Sequence, residues 1–325
     1  MAVWTVIGLS AAVIAGFALW TSFEIAWRSF VTPASVAAML AIAAWFYRSI
    51  RGEQRLGAIL GSTAQIIGFA AVAAPLSYIA AAANFPLQDA AFDAWDRYLH
   101  FDWMQMMTLI SLRPGLQWIL KLAYLSFTLQ TITTVLALGI AGQLDRLGTF
   151  ILAFVCTTLI TIAISAVYPA AGPWLFLDLQ PSMANGFLPV SSTSWPVFLG
   201  LRDGALHTVY GLNSEGIITF PSLHAALGIL FAVALWRVSV ARWIALILNG
   251  LMLIATPAYG SHYVVDVIAG ILIAAACWVA IARLFAANAE TTPKHLATIK
   301  HPPSIVPGAM SEPETAAASR RLESV

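Results

Sequence analysis

The chain has 325 residues, of which 60% are hydrophobic and only 10% are charged, and its mean hydropathy is +0.83. Soluble domains carry about 25% charged residues, so this composition excludes a soluble protein and indicates an integral membrane protein. The 16 basic residues nearly balance the 15 acidic ones. This balance argues against a nucleic acid or another polyanion as a partner.

Eight segments are candidate membrane spans, each of which needs about 20 apolar residues. The second is short, and the last two are separated by little more than Tyr259-Gly260-Ser261. The first has no basic region before it and no clear cleavage site, so we expect it to remain as a span. The sequence therefore predicts an all-α polytopic membrane helix bundle with about eight transmembrane helices. The segments lie at 3–23, 31–47, 58–83, 115–140, 147–168, 218–238, 243–260 and 261–285.

The distribution of Lys and Arg predicts the orientation of these spans, because cytoplasmic loops carry an excess of both. With both chain ends cytoplasmic, segment 169–217 and the turn at 259–262 lie on the extracytoplasmic side. Eleven basic residues then lie at the cytoplasmic side: Arg48, Arg51, Arg55, Arg146, Arg237, Arg242, Arg283, Lys294, Lys300, Arg320 and Arg321. Five remain for the other side or the spans: Arg28, Arg97, Arg113, Lys121 and Arg202.

Segment 84–103 alternates charged and aromatic residues at helical spacing. This pattern predicts an interfacial helix on the outer leaflet, with its aromatic side chains toward the bilayer and its charges toward water. A lid over an active site is one interpretation, and a plain surface helix is the one we favour. The residues are Asp89, Asp93, Asp96 and Arg97 among Phe92, Trp95, Tyr98 and Trp103.

Two polar segments follow different patterns. Segment 169–217 is rich in Pro, Gly and Ser, but its five Trp and Phe residues predict an ordered structure. The tail after about Ala286 is polar and includes Pro302, Pro303, Pro307 and Pro313, so we expect it to be disordered. Cys156 and Cys277 lie inside apolar segments, which is typical of packing residues rather than a disulfide.

Three ionisable residues stand at the starts of predicted spans. His224 ends the stretch Phe-Pro-Ser-Leu-His, and His262 precedes Asp266 by four residues, a spacing that puts both on one helical face. An ionisable side chain within a span is costly and indicates function by default. A single histidine near a helix end is more often satisfied by water or a carbonyl group. Three such residues make that interpretation less attractive.

These residue types suit acid–base and nucleophilic chemistry. A carboxylate that accepts from one imidazole nitrogen leaves the other as a nucleophile or a general base. A second, protonated histidine can donate to a leaving-group oxygen. Such a pair at the membrane surface suits displacement at phosphorus on a substrate whose tail stays in the bilayer. The spacing also allows metal ligation, but there is no H-E-x-x-H motif and no further His or Cys cluster. We expect no metal and no cofactor.

The two histidine stretches resemble the second and third signature motifs of the type 2 phosphatidic acid phosphatase (PAP2) superfamily, P-S-G-H and S-R-x5-H-x3-D. The form H-Y-x-x-D-x-x-x-G at 262–270, with Tyr-Pro-x-x-x-Pro-Trp at 168–174, is similar to the branch of inositolphosphorylceramide synthases and many bacterial membrane phosphatases. Asp96-Arg97, Phe101-Asp102-Trp103 and Asn249 with Thr256-Pro257 also resemble that branch. The resemblance covers about residues 90–285.

The resemblance implies a role for each matching residue. His262 would be the nucleophile that forms a phosphohistidine, and Asp266 its orienting carboxylate. His224 would protonate the leaving alcohol and then activate the acceptor. Ser222 would line the phosphate site, where the helix N-terminus is itself a natural anion site. The implied organisation is N-terminal transmembrane helices at 1–83, a PAP2-like catalytic membrane domain at 84–285 and a disordered tail at 286–325.

The chain departs from the family pattern where phosphate is held. Leu223 replaces the usual Gly, Thr256 stands where an Arg is expected, and Met106 stands seven residues before Arg113 where a Lys is expected. A phosphoryl transition state needs cationic or N–H donors. We expect Arg202 to be the substitute, followed by Lys121 and Arg113 and then by Tyr168 as a neutral donor. A solvated charge, or an ion pair with Asp203, is the alternative for Arg202. We expect His207 to be exposed.

Three functions are compatible with these residues. The first is a lipid-phosphate phosphatase or phosphotransferase of a bacterial inner membrane, with its site facing the periplasm. Its acceptor is water, or an alcohol as in an inositolphosphorylceramide synthase-like headgroup transferase. The second is a lipid flippase or transporter with a proton relay, but transport sites usually lie near mid-membrane. The third is a non-catalytic membrane scaffold that retains the fold. The expected partners are a lipid phosphate or phospholipid and the bilayer.

Overall fold

The computed structural model of the chain describes residues 2–185, 187–211 and 216–291, without the side chains of 183 and 288–291. In this part of the chain the secondary structure is almost entirely helical. The α-helices are α1 (Ala2–Trp20), α2 (Trp27–Ser49), α3 (Gln54–Ala82), α4 (Asp89–Tyr98), α5 (Trp103–Ser111), α6 (Pro114–Leu125), α7 (Phe127–Ile140), α8 (Leu144–Val167), α9 (Pro173–Phe176), α10 (Trp195–Arg202), α11 (Leu223–Leu235), α12 (Ser239–Tyr259) and α13 (Val264–Thr291). Most of the predicted disordered tail lies outside the described residues.

Six of these helices are long and apolar enough to cross a membrane: α1, α2, α3, α8, α12 and α13. They confirm six of the predicted spans. The predicted span at 115–140 is instead the pair α6 and α7, bent by 53° at Ser126, and counts as a seventh span only if the pair is taken together. The protein is therefore an all-α polytopic membrane protein.

The predicted span at 218–238 is shortened to the 13 residues of α11. Its helix begins only at Leu223, because Ser222 is the N-cap residue and its Oγ accepts a hydrogen bond from the Ala225 N–H. At about 1.5 Å per residue, 13 residues reach about 20 Å, which is less than the hydrocarbon core of a bilayer. The start of α11 therefore lies inside the bundle rather than at its end.

The start of α8 lies beside the end of α11. Arg146 at the start of α8 donates to the carbonyl groups of Val233 and Ala234 at the end of α11, which places these two ends together. Helix α3 packs against α8, and α11 packs against α8 and α12. The buried core of residues 1–285 lies between α3, α8 and α11 and includes Phe69, Phe150 and Phe231.

Segment 169–217 is ordered where it is described, as predicted. It contains α9, α10 and two 3-10 helices at Pro181–Ala184 and Val190–Ser194. Strand β2 (Thr208–Val209) pairs in parallel with β1 (Glu24–Ile25), which precedes α2. Trp174 lies in a buried cluster with Trp103 and Tyr259, so this segment packs onto the end of α12.

Helix α4 lies where an interfacial helix was predicted, but the predicted direction of its charges is wrong for two residues. Asp89 and Asp96 are each only 3% exposed, whereas Trp95 and Tyr98 are exposed. The two carboxylates are seven residues apart, which is two helical turns, so they lie on one face of α4. That face is turned toward the protein because each carboxylate accepts backbone hydrogen bonds there.

Candidate active site

His262 and Asp266 form a buried hydrogen-bonded pair where α13 begins. His262 lies in the turn between α12 and α13, and its Nδ1 is 3.1 Å from Asp266 Oδ2. The same oxygen accepts the Tyr263 N–H at 2.9 Å, which fixes the position of the carboxylate. An acceptor facing Nδ1 keeps the imidazole proton there. Nε2 is left with its lone pair.

Ser222 joins the second histidine stretch to this pair. Its Oγ lies 3.4 Å from His262 Nε2, and its N–H donates to the Asp266 carbonyl oxygen at 3.0 Å. The backbones approach closely because Gly270 has no side chain. A Cβ at Gly270 would overlap the Ser222 carbonyl oxygen. The two motifs, about 40 residues apart in sequence, therefore meet through their main chains.

His224 lies in the first turn of α11 and is held by aromatic rings. Its ring stacks on Tyr124 with centroids 4.1 Å apart and an angle of 12°, and Phe127 lies 4.8 Å away. His224 and His262 line one cavity of about 440 Å³. The cavity extends from the histidines between α3 and α8, where its walls are largely apolar: Phe69, Ala73, Ala74, Phe154 and Ile162.

Burial, and secondly the neighbouring His224, lower the pKa of His262 well below its ordinary value. A lowered pKa means that the imidazole is neutral at pH 7, since the charged form is disfavoured away from water. A neutral ring with its proton on Nδ1 presents a nucleophilic Nε2 to the cavity. The arrangement therefore suits attack by His262 beside a second titratable group.

Asp96 of α4 holds the start of α13. Its two carboxylate oxygens accept the N–H groups of Val264 and Val265 at 2.8 and 3.1 Å. These are among the N–H groups that a helix leaves without an internal acceptor, and a carboxylate there also favours the helix dipole. Burial raises the pKa of Asp96, and these two hydrogen bonds partly offset that effect.

The Asp89 carboxylate of α4 is hydrogen-bonded to the stretch of chain before α9. Its carboxylate accepts the N–H groups of Ala171 and Gly172 and the Tyr263 hydroxyl, the last at 3.0 Å. Neither Asp89 nor Asp96 was among the predicted site residues. The seven-residue spacing of two acids beside Phe92 was the available signal, but it does not reveal which way that face points.

The Tyr-Pro-x-x-x-Pro-Trp stretch supports the turn that carries His262. Gly172 has a φ of +93°, and a Cβ there would overlap the Ser261 carbonyl oxygen. Ser261 Oγ accepts the Trp174 N–H at 3.0 Å. The His262 N–H donates to the carbonyl group of Pro257, which also accepts the Trp103 indole N–H. The turn is therefore held from both sides.

Arg202 lies behind one wall of the cavity. Its Nη2 donates to the Phe85 carbonyl at 2.8 Å, and its guanidinium carbon is 5.5 Å from the ring centroid of Phe198, which lines the cavity. Nη1 is buried and has no acceptor among the described residues. Burial lowers the pKa of Arg202, while Asp89 opposes this effect. The alternative of an ion pair with Asp203 is wrong, because the Asp203 carboxylate instead accepts the Ala205 N–H.

The other predicted phosphate ligands do not line this cavity. Arg113 is exposed and donates to the Leu109 carbonyl, Lys121 is exposed beside the Trp118 ring, and Tyr168 is 52% exposed. No Lys or Arg of the described chain lines the cavity. His207, which was expected to be exposed, is half-buried with its ring 5.7 Å from Phe23. Within the described residues, no three His, Cys, Asp or Glu side chains are grouped as a metal site.

Comparison with known proteins gives one match. A family model described as the PAP2 superfamily matches residues 90–280. The matched range begins in α4 and contains Ser222, His224, His262 and Asp266. No curated protein and no solved structure matches the chain.

Proposed function

Because the chain belongs to the PAP2 superfamily, we propose that it is a membrane phosphatase or phosphotransferase that acts on lipid phosphates through a phosphohistidine on His262. One observation carries the proposal. Nδ1 of His262 is hydrogen-bonded to the Asp266 carboxylate. Nε2 of the same ring lies beside the Ser222 hydroxyl, at a cavity that His224 also lines. Membership of the superfamily supports the reaction class, and this geometry supports the role of each residue.

The first half-reaction transfers the phosphoryl group to His262. Nε2 forms a bond to phosphorus, and the bond from phosphorus to the lipid oxygen breaks. Protonated His224 gives its proton to the departing oxygen, so the lipid leaves as an alcohol. Asp266 stabilises the positive charge that develops on the His262 ring.

The second half-reaction regenerates both histidines. Neutral His224 takes a proton from the acceptor hydroxyl as its oxygen bonds to phosphorus, and the bond from phosphorus to Nε2 breaks. With water as the acceptor the product is phosphate, and with an alcohol it is a new phosphoester. A headgroup transferase similar to the inositolphosphorylceramide synthases is the second candidate, favoured by the H-Y-x-x-D-x-x-x-G form at 262–270.

The transition-state charge requires donors, and the chain offers two kinds. The N–H groups that open α11 point toward its N-terminal end, beside the Ser222 hydroxyl, and form an anion site. Arg202 is the proposed cation, because its Nη1 is a buried donor without an acceptor in the described chain and lies behind Phe198. Arg113, Lys121 and Tyr168 are weaker candidates because of their exposure.

The apolar part of the cavity, between α3 and α8, would take the hydrocarbon chain of the substrate. The site lies toward the end of the bundle opposite the end that carries Arg51, Arg146 and Arg237. By the positive-inside rule, the site would face the periplasm of a bacterial inner membrane.

The test is an assay of purified protein on a panel of lipid phosphates and phospholipids, with and without inositol. Phosphate release and mass spectrometry identify the products. We expect His262→Ala to abolish turnover and His207→Ala, the matched control outside the site, to leave it unchanged. Turnover retained in His262→Ala contradicts the nucleophile assignment. Lipid movement across liposomes without any phosphoester product would instead indicate a transporter.

A further inference from the structure

A second cavity lies at the other end of the bundle and has polar residues in its walls. It encloses about 390 Å³ and shares no lining residue with the active-site cavity. The polar residues come from the end of α2 and the first three turns of α3: Arg48, Gln54, Ser62 and Gln65. The opposite wall is apolar and comes mainly from the start of α8, with Leu144, Leu147, Ile151 and Leu152.

Arg48 is exposed overall, and its side chain runs along the surface of α3 at Gly57 and Gly61. A Cβ at Gly57 would overlap Arg48 Cγ, and a Cβ at Gly61 would lie 3.1 Å from its Nη2. From Gly57 to Gly61 the helix advances about 6 Å away from its start. Basic side chains near helix ends usually extend away from the membrane centre, whereas this one runs along α3 toward the level of Ser62, with Gln65 one turn further along the same cavity.

The guanidinium reaches this level without an anion to neutralise it. No carboxylate of the described chain lies within ion-pair distance of Arg48. A cation, an amide and a hydroxyl that line one cavity offer several hydrogen-bond donors to a single oxyanion. Phosphate is an oxyanion that an Arg fork binds through two parallel hydrogen bonds, and its other oxygens can accept from such donors.

We propose that this cavity binds the phosphate of an anionic phospholipid from the leaflet at this end, which the distribution of Lys and Arg predicts to be cytoplasmic. The headgroup phosphate contacts Arg48, Ser62 and Gln65. A hydrocarbon chain covers the apolar wall, which extends about 12 Å along α8 from Leu144 to Leu152. A soluble phosphate ion would leave that wall uncovered.

The bound lipid acts at a distance from the active site through two shared helices. Helices α3 and α8 line the second cavity with residues 54–65 and 144–152, and the active-site cavity with residues 69–77 and 154–162. A lipid that bridges their ends at the second cavity therefore stabilises the pair that also forms the active-site wall.

The test measures lipid binding by the full chain, so its outcome is independent of the proposed catalytic function. Native mass spectrometry titrates the detergent-purified protein with phosphatidylglycerol, with phosphatidylcholine, and with inorganic phosphate as a competitor. We expect phosphatidylglycerol to bind in preference to phosphatidylcholine and to resist inorganic phosphate. Loss of the Arg contact in Arg48→Gln weakens phosphatidylglycerol binding at least about tenfold.

Arg51→Gln is the matched control, because Arg51 is a nearby exposed arginine, as Arg48 is, but lies in the adjoining loop and does not line the cavity. Gln65→Leu tests the deeper end of the site if Arg48→Gln does not fold, and we expect it to weaken binding as well. The proposal is overturned if Arg48→Gln or Gln65→Leu binds phosphatidylglycerol as the wild type does, or if phosphatidylcholine binds equally well. Displacement by inorganic phosphate at similar concentration would show a soluble-anion site instead.

Discussion

At the residue scale, the site combines a well-held nucleophile with few charges to meet phosphate. His262 is oriented by Asp266 at 3.1 Å, and the start of α13 is capped by Asp96. In contrast, no Lys or Arg side chain of the described residues lines the cavity. Arg202 is the proposed cation, because its guanidinium lies over the ring of Phe198, which lines the cavity, and its Nη1 is a buried donor without an acceptor among the described residues.

Replacing Arg202 by Gln tests this assignment. If Nη1 meets the phosphoryl group in the transition state, kcat/KM should fall by an amount equivalent to about 2–4 kcal/mol, as when a preorganised donor is removed from an oxyanion site. Steady-state kinetics on the best lipid phosphate provides the measurement. Arg113→Gln is the control because its side chain is exposed and outside the cavity. Equal activity of both variants would remove Arg202 from the site.

At the scale of elements, helix α4 organises the site although it contributes no residue to the cavity. Asp96 holds the start of α13, and Asp89 holds the Ala171–Gly172 stretch and the Tyr263 hydroxyl. The ring of Phe92 between them stacks on Phe220 with centroids 4.3 Å apart. Helix α4 therefore links both histidine stretches to the segment that follows α8. Its exposed aromatic residues, Trp95 and Tyr98, remain available to the membrane interface.

Replacing Asp96 by Asn should lower stability by about 1–2 kcal/mol, because a capping carboxylate is lost from the start of α13. The same change should lower kcat more than it raises KM, since the His262 turn shifts while the lipid cavity remains. Thermal unfolding in detergent and steady-state kinetics measure the two effects.

Asp93→Asn is the control on the same helix. Among the described residues Asp93 forms one ion pair, with Arg97, whose side chain is 71% exposed, and exposed ion pairs contribute little. If Asp96→Asn has the thermal stability and the kcat of Asp93→Asn, α4 does not position the nucleophile.

At the scale of the whole molecule, two long helices connect two cavities. Helices α3 and α8 are full spans with many buried residues, and both cavities lie beside them. The bent pair α6 and α7 places Tyr124 and Phe127 against His224 at the bend. The short helix α11 begins inside the bundle, which places His224 of its first turn at the cavity. Reactive groups thereby reach a cavity within the protein rather than a flat membrane surface.

Filling the apolar part of the active-site cavity should separate lipid recognition from chemistry. Ala73→Leu, on the α3 wall, should reduce kcat/KM for a long-chain lipid phosphate about tenfold or more, because the chain loses room. Turnover of a short, water-soluble phosphate monoester should change little. Ala276→Leu on the exposed surface of α13 is the control. An equal loss for both substrates would mean that the substitution disturbs the histidines instead.

Much of this protein follows from local patterns. Apolar length alone predicts the six full spans, since a segment of about 20 apolar residues has no stable place in water. The four-residue spacing of His262 and Asp266 predicts that the two side chains meet, and the structure shows this contact, although His262 lies in the turn just before α13. The order of the aromatic segment after α8 also follows from a local feature, its five Trp and Phe residues.

The remaining features depend on which helix surfaces pack against one another. Local sequence patterns do not show this. Apolar length could not show that α11 begins within the bundle or that α6 and α7 are bent. An acidic side chain can face water or accept hydrogen bonds from buried backbone N–H groups. Only the packing of α4 decided that Asp89 and Asp96 point inward. Likewise, only packing excluded Arg113, Lys121 and Tyr168 from the active-site cavity and placed Arg48 along Gly57 and Gly61 of α3. The sequence by itself determined which groups can react and which segments can cross the membrane. The tertiary structure decided which groups meet, because burial and partners depend on residues far apart in the chain.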